Sequence, residues 1–114
     1  MHVDRELVSR IFENLFDNAV KFTPAEGRIR IVATTGDGRF QLCVANDGSA
    51  IPRDQRARIF EKFASGARSG MRSSHGLGLY FCKLATAAHG GTLSLAEMPP
   101  FSTAFSLSIP SHAA

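Results

Sequence analysis

The sequence lacks any apolar run near the roughly 20 residues that cross a bilayer. Its start, Met1-His2-Val3-Asp4-Arg5-Glu6, lacks the apolar segment of a secretory signal. Both absences lead to the expectation of a cytoplasmic chain. Cysteine is scarce: Cys43 and Cys82 show no CxxC spacing and no secretory context, so two buried, reduced thiols are expected rather than a disulfide framework. Charge of one sign is in small excess, with 13 basic against 10 acidic residues and a formal net charge of +3. The basic residues are scattered, which favours a polyphosphate ligand over a nucleic-acid surface. No internal repeat is visible. A Walker-type Gly-x4-Gly-Lys-Ser/Thr is absent, which removes the commonest class of nucleotide hydrolases.

What is present is the balance of a globular protein, with 44% apolar and 20% charged residues over 114 positions, enough for one core and one domain. From Asp4 to about Phe22 the residues Leu7, Val8, Ile11, Phe12, Leu15, Phe16 and Ala19 recur at three and four, which predicts an amphipathic helix with Asp4 as its N-cap. Pro24 ends it. Arg28 to Thr34 and Phe40 to Val44 alternate around Gly36-Asp37-Gly38 and predict a hairpin. Asn46 to Pro52 reads as a polar loop and Arg53 to Phe63 as a short helix. Residues 64 to 75, rich in Gly, Ser and Arg, have little to bury and are expected to form a mobile lid. A second helix is expected from Gly76 to His89, closed by Gly90-Gly91. Thr92 to Glu97 and Ser102 to Ile109 follow as a second hairpin, joined at Pro99-Pro100.

Three groups of residues carry chemistry. Asn14, Asn18 and Lys21 fall at i, i+4 and i+7 and so share one helix face, where amide oxygens can ligate a hard cation and an ammonium can meet a phosphate. A solvated helix border is the plain alternative. Gly76-Leu77-Gly78 precedes a helix, where bare backbone N–H groups can receive an anion; a simple hinge explains it as well. It is no dinucleotide fingerprint, because Phe81 stands at the third glycine position. Asn46-Asp47-Gly48 places an amide and a carboxylate beside a flexible glycine, suited either to a planar base or to an ordinary turn. Phe60 and Phe63, which bracket Glu61-Lys62, are more often core than function.

Taken in order, Glu13 to Pro24, Asn46 to Pro52, Ile59 to Phe63 and His75 to Leu79 with His89-Gly90-Gly91 resemble the N, G1, F and G2 boxes of bacterial sensor histidine kinases. The resemblance covers almost the whole chain. It implies an α/β (α+β) sandwich of the Bergerat type, a mixed, mostly antiparallel sheet covered on one face by helices, with a flexible lid. It implies ATP and Mg²⁺ as cofactors, with Asn18 on the metal, Asn14 and Lys21 on the phosphates and Phe22 near the adenine. The Gly76–Gly78 backbone would wrap the phosphates, with His75, Leu77, Leu79 and Phe63 as further binding residues, and residues 64 to 75 would close over them; Arg68 and Arg72 of the lid could pair with the polyphosphate, though solvated loop charges explain them as well. Asn46, Asp47, Gly48, Ala50 and Ile51 would form the base loop. Glu13 could assist an incoming histidine as a second catalytic residue beside Asn14, although a solvated helix glutamate explains it better. Related ATPases carry a glutamate as water-activating base where Asn14 stands, and a neutral amide cannot take a proton from water. The implied reaction is therefore transfer of the γ-phosphoryl group to a positioned nucleophile.

The sequence departs from the family pattern in three places. Asn46 stands where the adenine-reading carboxylate is usual, and Ala50 where a glycine is usual. An amide can accept or donate, so Asn46→Asp is expected to tighten ATP binding. The strand that usually precedes the first helix is not in the sequence, which reads as a piece of a longer protein. No His-Glu/Asp-x-x-x-Pro acceptor motif is found, since His2, His75, His89 and His112 have other contexts. The expected partners are the acceptor-histidine dimerisation domain of a parent kinase and a response regulator, with no nucleic acid and no direct membrane contact. A non-catalytic docking module and a serine kinase of the anti-sigma type are the competing readings.

Overall fold

The computed structural model describes residues 5–48, 50–56, 58–61 and 78–110. Helix α1 spans Arg5–Phe22, and its buried residues Ile11, Leu15, Asn18 and Ala19 repeat at four, three and one, as one helix face requires. The proposed N-cap, Asp4, lies outside the described residues. At the other end Thr23 donates its hydroxyl to the Ala19 carbonyl, and Gly27 N donates to Pro24 O at 2.8 Å, so the turn before the first strand is closed by hydrogen bonds.

Strands β1 (Ile29–Gly36) and β2 (Arg39–Asn46) pair antiparallel in the register Gly36↔Arg39 to Ile29↔Asn46. The two residues between them, Asp37 (φ 53°) and Gly38 (φ 73°), are both left-handed, the geometry of a type I′ turn whose twist matches its strands. Each strand extends two residues further toward the turn or the loop than alternation alone indicated, because the pairing continues where side-chain contrast fades. Helix α2 spans Gly78–Ala88. It ends in a Schellman motif: Gly91 N donates to Thr86 O at 2.9 Å, Gly90 N to Ala87 O at 3.0 Å, and Gly90 holds φ 73°. Strands β3 (Thr92–Ala96) and β4 (Thr103–Pro110) complete a sheet of order β1-β2-β4-β3. Every described pairing is antiparallel.

One expected element is smaller than its sequence indicated. Of the helix read from Arg53 to Phe63, the described part is a 3-10 turn, Arg53–Gln55, with further turns at Arg56 and at residues 58–60. Its bonds run three residues back, as in Gln55 N to Pro52 O (2.9 Å) and Glu61 N to Arg58 O (3.0 Å). The reason lies in the pattern: Ile59 and Phe60 are adjacent rather than three or four apart, and Pro52 provides no side-chain cap.

Both helices cover one face of the sheet, α1 against β2, and α2 against β3 and β4. Leu42 and Val44 of β2, Phe105, Leu107 and Ile109 of β4 and Leu93 of β3 meet Ile11, Leu15, Cys82 and Ala85 in one core, joined by Ile51 and Ile59. Edge strand β1 receives less of this cover, and Ile31 stays 43% exposed. Burial raises the Cys82 thiol to about 12 and also raises that of Cys43, so both are uncharged near neutral pH, as reduced structural thiols. No described helix is long and apolar enough to cross a membrane.

Candidate functional site

The start of α2 and the loop after β2 converge on one face of α1. A Cβ built on Gly78, the first residue of α2, would lie 2.9 Å from Asn14 Oδ1. A Cβ on Gly48 would lie within van der Waals radii of the Phe22 carbonyl oxygen, and Gly48 holds φ 125°. Only glycine fits at position 48, because the loop after β2 rests its backbone directly on the end of α1. Between these two contacts sits Asn18.

Asn18 is 5% exposed and occupies a place in the buried stripe that an apolar residue would otherwise fill. Its Nδ2 and its Oδ1 both lack a hydrogen-bond partner among the described residues. An unsatisfied buried polar group costs roughly 1–3 kcal/mol. Gln55, Thr86 and Thr103 each leave one buried oxygen unpaired, whereas Asn18 leaves a donor and an acceptor together. The amide oxygen is a hard donor of the kind Mg²⁺ takes, and Mg²⁺ fills most of its shell with water and phosphate rather than protein. Among the described residues there is no cluster of three or more His, Cys, Asp or Glu that could hold a metal ion. Asn14 is half-buried and donates Nδ2 to Arg10 O at 2.9 Å, which turns Oδ1 toward Gly78. Lys21 and Glu13 are exposed, and Phe22 is half-buried.

The wall formed by the loop after β2 is held differently. Asp47 Oδ2 accepts from Arg28 N (2.8 Å) and Arg28 Nε (3.0 Å), and Asp47 N donates back to Arg28 O at 3.0 Å. The guanidinium also lies 5.0 Å from the centroid of the Phe101 ring. Hydrogen bonds from the Arg28 side chain and then its backbone hold the Asp47 carboxyl below the usual carboxylate range, outweighing a small desolvation effect. Asp47 is thereby occupied. Asn46, 1% exposed, donates Nδ2 to Asp47 O at 2.7 Å, and its own carbonyl accepts from Ser102 N at 3.1 Å. Thr103 lies opposite Asn46 in the β2–β4 register with its hydroxyl buried and unpaired. Sequence reasoning missed Thr103, because only the strand register places it there.

The structure therefore brings Asn14, Asn18, Phe22, Gly48 and Gly78 together, with Asn46 on the adjoining strand end and Leu79 half-buried beside Gly78. Ile51 is buried in the core, and Ala50 is exposed. Phe63, Arg68, Arg72, His75, Gly76, Leu77 and the lid over residues 64 to 75 lie outside the described residues. Phe60 packs edge-on to Phe105 and lies 5.2 Å from Lys83 Nζ, a core role. A separate cavity of about 220 Å³ opens between Ile51, Arg56 and the β3–β4 connection, and of the expected site residues Ile51 alone lines it.

Comparison with known proteins bears on this arrangement. The family described as histidine kinase-, DNA gyrase B-, and HSP90-like ATPase matches residues 3–113. The sensor protein KdpD of Escherichia coli is 35% identical over 114 residues, all of this chain and 13% of KdpD. The adaptive-response sensory kinase SasA of Synechocystis is 33% identical over 94% of this chain and 28% of its own. The chain thus spans less than a third of these curated relatives. Among solved structures, the catalytic domain of histidine kinase ThkA superposes with a TM-score of 0.81 at 26% identity, covering 96% of this chain and 69% of that one. Full-length ShkA in complex with AMPPNP superposes with 0.79 at 32% identity, covering 98% and 23%.

Proposed function

The chain belongs to the histidine kinase-, DNA gyrase B- and HSP90-like ATPases, as an ATP-binding domain of the sensor-kinase kind, and on that premise we propose that it binds Mg-ATP and passes the γ-phosphoryl group to a histidine on a separate dimerisation domain. The observation that carries this reading is the buried, unpartnered amide of Asn18 between the Gly48 and Gly78 contacts. ShkA, whose structure contains AMPPNP, supports a nucleotide as the ligand.

In this reading Asn18 presents its oxygen to Mg²⁺, which when bound offsets phosphate charge. Asn14 and Lys21 orient the phosphates, and the N-terminal end of α2, a helix of eleven residues that starts at Gly78, meets them with its backbone N–H groups. Asn46 reads the base and Phe22 packs beside it. Asn14, a neutral amide, leaves water unactivated, so the domain orients its nucleotide for an incoming nucleophile, with Glu13 exposed on the same turn to meet it. The acceptor domain of a parent kinase and a response regulator are the proposed partners, and the cytoplasm the proposed compartment.

Calorimetry with Mg-ATP, together with incubation in γ-labelled ATP, tests the reading. We expect saturable heat, no acid-labile label on the chain itself and negligible phosphate release. A silent titration of folded protein contradicts nucleotide binding, and rapid phosphate release contradicts the role given to Asn14.

A further inference from the structure

Arg10 lies on the same side of α1 as Asn14, one turn earlier, and its carbonyl accepts the Asn14 Nδ2 bond at 2.9 Å. The two helices run past each other in opposite directions here. Gly78 meets Asn14, Cys82 Sγ lies 3.6 Å from Ile11 O, and the Arg10 guanidinium lies 5.7 Å from the centre of the Phe81 ring. Arg10 is exposed and Phe81 half-buried. Glu6 and Glu13 stand one helical turn to either side of Arg10, yet neither pairs with it: the ion pairs among the described residues are Arg28–Asp47 and Arg58–Glu61. Attraction to a ring face steadies the cation and leaves its charge uncancelled, so its fork of N–H donors can still take an anion.

With the base at Phe22 and Asn46 and the phosphates at Asn14 and Gly78, a nucleotide runs along α1 from its C-terminal end toward its start. Phe22 lies roughly 12 Å along the helix from Asn14, and Arg10 roughly 6 Å beyond Asn14 in the same direction, at about 1.5 Å per residue. The terminal phosphate is the part of the nucleotide that reaches furthest along this line. We propose that Arg10, steadied by Phe81, recognises the terminal phosphate and so sets a preference for ATP over ADP. This rests on the nucleotide-binding reading above and adds to it a residue that the reading does not use. A guanidinium matches two phosphate oxygens with parallel N–H bonds, and the γ-phosphate carries the charge by which the two nucleotides differ. The bond from Asn14 to the Arg10 carbonyl ties this residue to the phosphate wall of the site.

The test is calorimetric titration of the unmodified chain, Arg10→Gln and Arg10→Lys with Mg-ATP and with Mg-ADP. The unmodified chain is expected to bind ATP the more tightly. Arg10→Gln, which removes the charge from an exposed position, should bind ATP about tenfold more weakly and ADP within about twofold of the unmodified chain. Arg10→Lys, which keeps the charge and loses the fork, should fall between the two for ATP. An equal loss for both nucleotides would mean that Arg10 only supports the packing of α1 on α2, and it overturns the proposal. Unchanged ATP affinity in Arg10→Gln overturns it as well. Both results leave nucleotide binding in place. Silence of the unmodified chain with both nucleotides overturns the nucleotide reading itself and the proposal with it, which separates the two failures.

Discussion

The two walls of the site use the same kinds of side chain in opposite ways. On the loop after β2 Asp47 is tied to Arg28, Arg28 to Phe101, and the donor end of Asn46 to the backbone. On α1, Asn18 is buried and has no hydrogen-bond partner at either end among the described residues. A folded chain tolerates an unsatisfied buried amide only where some other interaction offsets its cost. In the proposed reading the satisfied polar groups mark the frame of the site, and the Asn18 amide, which lacks a partner at both ends where Gln55, Thr86 and Thr103 each lack one, marks where the ligand enters. The contrast predicts opposite responses to substitution, because removing a framing group costs stability whereas removing Asn18 does not.

The largest effect is expected where the frame is apolar. Leu15 is fully buried one turn before Asn18, and Leu15→Ala should destabilise the chain by about 2–5 kcal/mol through lost burial and a residual cavity. Urea denaturation would measure it. A loss well under 1 kcal/mol would mean that α1 is not held by this face, and the placement of Asn18 would lose its support.

A smaller, pH-dependent effect is expected from the polar wall. Asp47 has its folded pKa depressed by Arg28, so its contribution is present above the ordinary carboxylate value of 3.8 and is lost as pH falls through the lower folded value. Thermal melts of the unmodified chain and of Asp47→Asn should differ at neutral pH and converge in acid. A gap that stays constant from neutral pH down to strong acid would show that the ion pair with Arg28 contributes nothing.

Much of this was legible in the sequence, and what was hidden has physical reasons. Helix α1 could be read from the spacing of Ile11, Leu15 and Ala19, and the first hairpin from Gly36-Asp37-Gly38, because helix and turn signals are local. The sheet order was not readable, since the β2–β4 pairing joins Asn46 to Thr103 across a long stretch of chain and no local pattern encodes it. Thr103 escaped notice for that reason. Alignment set Asn46 at the base-reading position with Asp47, one place along, as the alternative, and no local pattern showed that Arg28, 19 residues away, binds the Asp47 carboxylate. The stripe of Asn14, Asn18 and Lys21 was visible, but whether it formed a wet border or a buried site depended on burial, and burial divides it: Asn18 is inside, Lys21 outside. The over-long helix at Arg53 shows the reverse error, in which composition permitted a helix that had no face to bury.

The most direct test of the central claim is the stability of Asn18→Leu, measured by thermal melting with and without Mg-ATP. Leucine shares the branching of asparagine at Cγ with bulkier ends, favours the helix more and removes both unsatisfied atoms. The account predicts that the free variant melts at or slightly above the unmodified chain, with a gain of roughly 1 kcal/mol, and that the upward shift produced by Mg-ATP in the unmodified chain disappears. A variant that melts lower when free and still gains the full Mg-ATP shift would contradict it, because Asn18 would then be part of the frame.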